Sequence, residues 1–429
     1  MIRQTNTPQA ARRVFAAVVI AAALSPIAAT AIAQDSSQNW IRFPGQKNES
    51  SSSLDYDRSF VKEWEANPPK GYPTLTAANI EPMKVAIKRY ADIAERGGWE
   101  ALPETVLSPG MNNPAVGILK QRLLASGDLK ETSSFEGHFD FYTEKAVKRF
   151  QASNGLTPTG IVDKRTIAAL NVPAAARLRQ LRTNLSRLQE FARAMPKKYV
   201  MVNVPSAQIE AIENDRVVSR HSGVVGKMDR QTPLLRSAIH ELNFNPVWHL
   251  PPTVIDKDLI PKGQDMQKRN QDVLAKFGID AYDGGGKKLD SSKINWSGGA
   301  AKGLTFKQQP GKENPLGFLK INFHNNYSVY MHDTPSDTMF GRNFRAASSG
   351  CVRVQGIEHL AAWLLADQGW SPERVADMKK TGEKQNVALK KPVPLYFVYI
   401  TAWATEDGII NFRRDLYQKD GVGAVAGAY

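Results

Sequence analysis

A chain of 429 residues, 42% hydrophobic and 23% charged with 31 Gly and 25 Pro, has the composition of a globular protein and the length for roughly two to four domains. That excludes a collagen-like, a globally disordered or a disulfide-stapled miniature chain. The net charge of +14 favours anionic partners, and the single cysteine, Cys351, rules out an internal disulfide. A lone thiol leaves two readings, an inert buried group or a nucleophile.

Arg3, Arg12 and Arg13 precede an apolar run from Val14 to Ile27, broken at Ser25 and Pro26, and Ala31-Ile32-Ala33 places small residues at a cleavage position. The pattern predicts an export signal over 1–33 rather than a membrane anchor. Arg12-Arg13-Val14-Phe15 admits twin-arginine export beside the general route. Losing a leader with three arginines and no acid lowers the net charge from +14 to +11. Export disfavours nucleic acid as a partner. No later stretch reaches the roughly 18 uninterrupted apolar residues that cross a bilayer, so no span is expected after cleavage.

Residues 34–108 are expected to form a disordered lead-in, rich in Gln, Ser and Asn, followed by a scaffold helix. Asn79 is its expected N-cap and Pro82 lies in its first turn; Met83, Ile87, Tyr90 and Ala94 mark one face until Gly97-Gly98.

Residues 109–171 predict a compact helical domain. Val116, Leu119 and Leu123 mark one helix, Ala146, Val147 and Phe150 a second, and Ile167 and Leu170 a third capped by Asp163. Gly137-His138-Phe139-Asp140, Ala146-Val147, Phe150-Gln151, Gly155-Leu156 and Gly160-Ile161-Val162-Asp163 resemble the type 1 peptidoglycan-binding domain. Those positions are core apolars, caps and turn glycines, so a purely structural module stays open; His138 reads as a capping or packing residue. A further scaffold helix is expected over 172–197, with Leu178, Leu181, Leu185 and Leu188 on one face and Arg177, Arg179, Arg182, Arg187 and Arg193 on a solvated basic face.

From Lys198 the period becomes alternating, which predicts a mainly β domain over 198–417. Its strands are expected at Tyr199 to Val204, Gln208 to Ile212, Val217 to Val225, Leu319 to Phe323, Tyr327 to Met331 and Leu395 to Trp403. Asn214-Asp215 signals a turn and Ile357 to Asp367 a helix, while 262–303, with its glycine clusters, reads as a lid-like insertion. Residues 418–429 are left as a tail. The fold class expected is α+β and multidomain.

Nucleophilic catalysis by a thiol needs a base and backbone N–H groups for the oxyanion. His332 ends an expected strand in Tyr330-Met331-His332-Asp333, and Gly350 allows a sharp turn before the thiol in Ser348-Ser349-Gly350-Cys351-Val352-Arg353. His332, fifteen residues, then Ser348-x-Gly350-Cys351-x-Arg353 resembles the signature of the YkuD-type L,D-transpeptidase domain. Val224-Val225-Gly226-Lys227, Thr232-Pro233, Phe244-Asn245-Pro246-x-Trp248 and Val393-Pro394-Leu395-Tyr396 extend the resemblance over most of Lys198 to Tyr417. With the small helical domain, it points to the large, multidomain, periplasmic branch. Ser349 stands where the family often has a second His, and Asp333 where it commonly has Gly.

The resemblance implies acyl transfer with Cys351 as nucleophile and His332 as acid and base. Backbone N–H groups around Gly350 and Cys351 would hold the oxyanion, Asp333 and Ser349 would orient the site, and Arg353, Tyr330 and Ser348 would face substrate. A tetrapeptide stem would be the donor, D-Ala the leaving group and a 3-3 cross-link the product, with carbapenems acylating the thiol. The implied partners are peptidoglycan stem peptides and glycan, together with cell-wall synthases; no cofactor and no metal are expected. Arg353 also has a reading as a structural salt bridge, and Tyr330 as strand packing. Other outcomes stay open: hydrolysis, D-amino-acid exchange or protein attachment from the same thioester, a non-catalytic wall-binding protein, or a cysteine protease or sortase-like enzyme.

Overall fold

The computed structural model describes residues 71–130, 137–192, 195–297 and 299–421. The expected export signal and the expected lead-in, Gln34 to Ser53, lie outside the described residues, as does the chain after 421.

Helix α1 (Ile80–Glu95) buries Met83, Ala86, Tyr90 and Ile93 and stops at Gly97 and Gly98, both at positive φ. Asn79 does not cap it. Its side chain is buried and its amide donates to the carbonyls of Pro73 and Thr74 at 2.8 and 3.2 Å, tying down the turn before the helix. The small domain holds α2 (Ala115–Ser126), α3 (Phe141–Ser153) and α4 (Lys164–Leu170) around Val116, Leu119, Leu123, Phe139, Val147, Phe150 and Leu170. Asp140 and Asp163 cap α3 and α4, accepting from the Thr143 and Thr166 amides at 2.7 and 2.8 Å.

Helix α5 (Ala174–Ala192) packs on α1, and its Leu181 and Leu188 share a core with Tyr199, Met201 and Trp403. Of the basic face expected to be solvated, Arg179 and Arg182 are exposed, Arg193 lies outside the described residues, and Arg177 and Arg187 are turned to other uses. Arg177 is 1% exposed and donates to Asn154 Oδ1, Gln180 Oε1 and the Ala169 carbonyl, because its guanidinium fills the junction between α5 and the small domain. Arg187 bridges to Asp420 at 2.6 Å and donates to the Tyr399 carbonyl. The expected tail is therefore docked as far as Asp420, which also accepts from Thr401 Oγ1.

The main sheet is built from β1 (Lys198–Asn203), β2 (Gln208–Glu213), β3 (Arg216–Gly226) and β4 (Leu235–Phe244). After β5 (Trp248–His249), β6 (Ile279–Tyr282) and β7 (Thr305–Gln308), which form a separate sheet, it continues with β8 (Leu319–Phe323), β9 (Met331–His332), β10 (Ala346–Ser348), β11 (Val352–Val354) and β12 (Gln385–Val398). Its order is β10-β3-β11-β9-β8-β4-β12-β1-β2, and β2 pairs back onto β3. The pairing closes a barrel from β3 round to β2, which leaves β10 as an added parallel strand and removes the open edges of the ring. Two helices, α6 (Ile357–Leu365) and α7 (Pro372–Thr381), contribute Leu360, Leu364 and Val375 to the barrel core with Val202, Ile239, Ile321 and Phe397.

Two strand expectations shift. Tyr327 to Met331 contracts to Met331–His332, because Ser328 has φ +55° and the Asn325 side chain closes a turn onto Val329 in both directions. Leu395 to Trp403 divides: β12 ends at Val398, and β13 (Ala402–Ala404) pairs with β14 (Ile410–Phe412) against the scaffold helices. The insertion is wider than 262–303 and is a folded unit. Trp248, Leu259, Phe277, Trp296, Phe306 and Leu316 form its own core beneath β5, β6 and β7.

Candidate active site

Cys351 sits, half-buried, in the turn between β10 and β11. Gly350 has φ +118°, in the region an L side chain rarely adopts, so glycine is required for the turn. Ser348, 3% exposed, braces the turn from within: its Oγ donates to the Cys351 carbonyl at 2.6 Å and accepts the Gly350 N–H at 3.1 Å. A second brace comes from Thr232, whose Oγ1 donates to the Gly350 carbonyl at 2.8 Å and accepts the Gly226 N–H at 2.9 Å. Gly226 is required there, since a Cβ would lie 2.1 Å from the Arg230 carbonyl oxygen.

Next to this turn runs β9. Val352 pairs with Met331 and Arg353 with His332 in parallel register, and the Val352 N–H donates to the Tyr330 carbonyl at 3.0 Å. Tyr330 thereby lies beside Cys351. His332 is buried, and its Nδ1 donates to the carbonyl of Asp333 at 2.6 Å, which fixes the ring and leaves Nε2 as the second nitrogen. The Asp333 carboxylate turns the other way, accepting the Phe318 N–H at 3.0 Å.

Burial pushes the His332 imidazole down to about 3, helped by the charges of Arg353 and Lys320 and opposed by the Asp333 and Pro315 carbonyls. Burial also raises the Cys351 thiol above its ordinary value, while hydrogen bonds from the Tyr330 backbone and hydroxyl and the charges of Lys320 and Arg353 pull it back. Both shifts favour a neutral imidazole and a protonated thiol over an ion pair. A neutral imidazole can accept the proton that such a thiol must lose. Tyr330 stays a phenol, its ionisation pushed well up by burial, and its Oη accepts from Trp248 Nε1 at 2.9 Å. With that acceptor position filled, its own proton is directed to the sulfur. The Tyr330 and His332 rings meet edge to face at 5.7 Å, and Lys320 Nζ lies 4.5 Å from the Tyr330 ring centre.

The fold brings together Cys351, His332, Asp333, Tyr330 and Arg353, but several expected contributions change. Ser348 is a buried brace, not a substrate contact, and the Gly350 N–H is committed to Ser348 Oγ, not offered to an oxyanion. Ser349 is exposed and its Oγ accepts from Arg230 Nη1, which also faces Asp258 of the insertion at 3.6 Å. Arg353 is 7% exposed with Nη1 on the Met339 sulfur, so it reaches the site chiefly through its charge. Sequence reasoning did not single out Thr232, Trp248, Lys320 or Arg230. Thr232 and Trp248 lay inside quoted motifs, whereas Lys320 carried no signal, since its place depends on the pairing of Lys320 with His332 across β8 and β9.

Residues 197–392 match the family model described as "L,D-transpeptidase catalytic domain", YkuD. The chain carries a YkuD L,D-transpeptidase catalytic domain. Residues 112–170 match the "Putative peptidoglycan binding domain". A Haemophilus influenzae protein named "Putative L,D-transpeptidase" is 29% identical over 221 residues, which cover 52% of this chain and 44% of that relative, so the chain spans about half the relative's length. Among solved structures, the L,D-transpeptidase of Stackebrandtia nassauensis is similar at 15% identity and TM-score 0.27, covering 70% of this chain and 96% of that one. The Xylanimonas cellulosilytica L,D-transpeptidase (residues 123-326) stands at 16% and 0.23, covering 70% and 100%. The residues that match the YkuD model are those of the β barrel with its Cys351 turn. Among the described residues no helix is long and apolar enough to cross a membrane.

Proposed function

We propose that the protein is an exported L,D-transpeptidase that cross-links peptidoglycan in the periplasm through a thioester on Cys351. The observation that carries this reading is the seating of a half-buried thiol in the turn that enters β11 beside an imidazole on the paired strand β9, the imidazole oriented by a backbone carbonyl. His332 takes the thiol proton as Sγ bonds to the carbonyl carbon of the third stem residue. Lys320 and Arg353, the two cations that act on the thiol, offset the developing negative charge. The C–N bond to the terminal D-Ala then breaks, His332 returns the proton to the departing amine, and the thioester remains. An amine of a second stem, deprotonated by His332, attacks the thioester carbonyl; the C–S bond breaks and a 3-3 cross-link forms. Water or a free D-amino acid in place of that amine gives hydrolysis or exchange from the same intermediate.

Intact-protein mass spectrometry of the mature chain with disaccharide-tetrapeptide tests this. The expected result is an adduct of disaccharide-tripeptide mass with release of D-Ala, absent from Cys351→Ala. A folded, reduced sample that forms neither adduct nor product overturns the reading.

A further inference from the structure

We infer that the groove between the small helical domain and the outer wall of the barrel is a binding site for a peptidoglycan strand, which it holds through the carboxylates of the stem peptides. This inference rests on the cell-wall reading of the domain, and the groove leaves out Cys351 and His332, meeting their surroundings only at Asp333. The groove encloses about 1520 Å³, more than a single small molecule needs, which suits a polymer segment. One end is the small-domain turn at Gly155, Leu156 and Thr157; the other reaches Gly317, Phe318 and Asp333, one residue beyond His332. A strand lying in it would run from the small domain to the shoulder of the active site.

Its lining carries eight Arg or Lys side chains against three Asp or Glu. Arg345 directs its donors to the carbonyls of Gly223, Arg342 and Ser206, which satisfies its hydrogen bonds without cancelling its charge. Lys312 and Lys379 stand exposed at the active-site end. Phe344 is 49% exposed, with Arg414 5.0 Å from its ring centre, and offers a flat apolar face of the kind on which a sugar ring stacks. The walls are held in register: Asn343 Oδ1 accepts from the Thr157 N–H and hydroxyl at 2.9 and 2.8 Å, and Arg413 Nη1 donates to the Ser153 carbonyl at 2.8 Å. A rigid, basic, partly aromatic channel matches a neutral glycan hung with anionic peptides.

The test is binding to uncross-linked glycan strands bearing tetrapeptide stems, and to the same strands stripped of stems, with every variant in the full-length Cys351→Ala background. Paired Lys312→Glu and Lys379→Glu should weaken binding of stem-bearing strands about tenfold and flatten its salt dependence. Stripped strands should be weak ligands of both forms. Phe344→Ala, at an exposed ring that tests the groove even where the charge reversal misfolds, should weaken binding of both probes. Unchanged affinity in folded variants of both kinds, or equal affinity for stem-bearing and stripped strands, overturns the inference. No step requires turnover: a chain that binds strands through the groove but forms no adduct sinks the transpeptidase reading alone, and an active chain with indifferent groove variants sinks only the groove.

Discussion

At the scale of single residues, the thiol is the group whose surroundings matter most, and its control passes through Tyr330. Removing the hydroxyl in Tyr330→Phe withdraws a hydrogen bond that lowers the thiol ionisation, so the rise of iodoacetamide alkylation with pH moves upward. The rate at pH 7.5 is expected to fall roughly three- to tenfold. Trp248→Phe, which frees the hydroxyl to turn away, should give a smaller shift in the same direction. An unchanged alkylation profile in Tyr330→Phe would show that the hydroxyl does not act on the sulfur. Asp333 gives a prediction of opposite character. Burial raises its carboxyl to about 6, above its unfolded value, so the neutral form is preferred and stability is lost as pH rises through that range. Asp333→Asn keeps the backbone carbonyl that orients His332. Urea melts should show it near wild type at pH 4 and more stable at pH 8, by about 1–3 kcal/mol. Equal stability at both pH values would mean that the carboxylate is not held in a desolvated place.

At the scale of elements, the Cys351 turn is held by residues far from it in sequence. Thr232 joins the end of β3 to Gly350 through one donor and one acceptor, both buried. Thr232→Val leaves both partners unsatisfied and should cost about 2–4 kcal/mol, with acylation falling further than global stability explains. Thermal melts and acylation rates measured together check this; a variant as stable and as fast as wild type would remove Thr232 from the account. The same scale shows why some elements were legible in sequence and others were not. The helices of the small domain repeat their apolar positions cleanly, and Asp163 caps where its position predicted. Strand β4 went unnamed because a bulge between Ile239 and Glu241 breaks the alternation that would have revealed it.

At the scale of the whole molecule, the small domain and the barrel are joined by specific contacts, not by a tether alone. Asn343 lies in the segment between His332 and Ser348 and grips Thr157 of the small domain. Asn343→Ala should cost about 1–2 kcal/mol locally. Hydrogen exchange is expected to rise at residues 155–158 and 337–345 together, while the barrel core stays protected. Faster exchange on one side only would mean that the two segments are not coupled through this residue. The buried Arg177 works similarly at the junction with α5, where its Asn154 contact ties the scaffold helix to the small domain.

The sequence by itself determined the order of the parts and the period of each, because short-range periodicity and turn chemistry are written along the chain, and its motif spacing singled out His332 and Cys351 as candidates. It also pointed to Gly350 as the hinge of the thiol turn. What only the tertiary structure decided is who holds whom. Ser348 became a brace, Arg177 left the solvent, Trp248 reached Tyr330 from the core of the insertion, and the last described residues docked on α5. Each of these depends on partners tens to hundreds of positions apart or on a turn closed by its own side chains. Such contacts arise when the barrel closes and its surroundings pack, and a periodicity read along one segment contains no information about them.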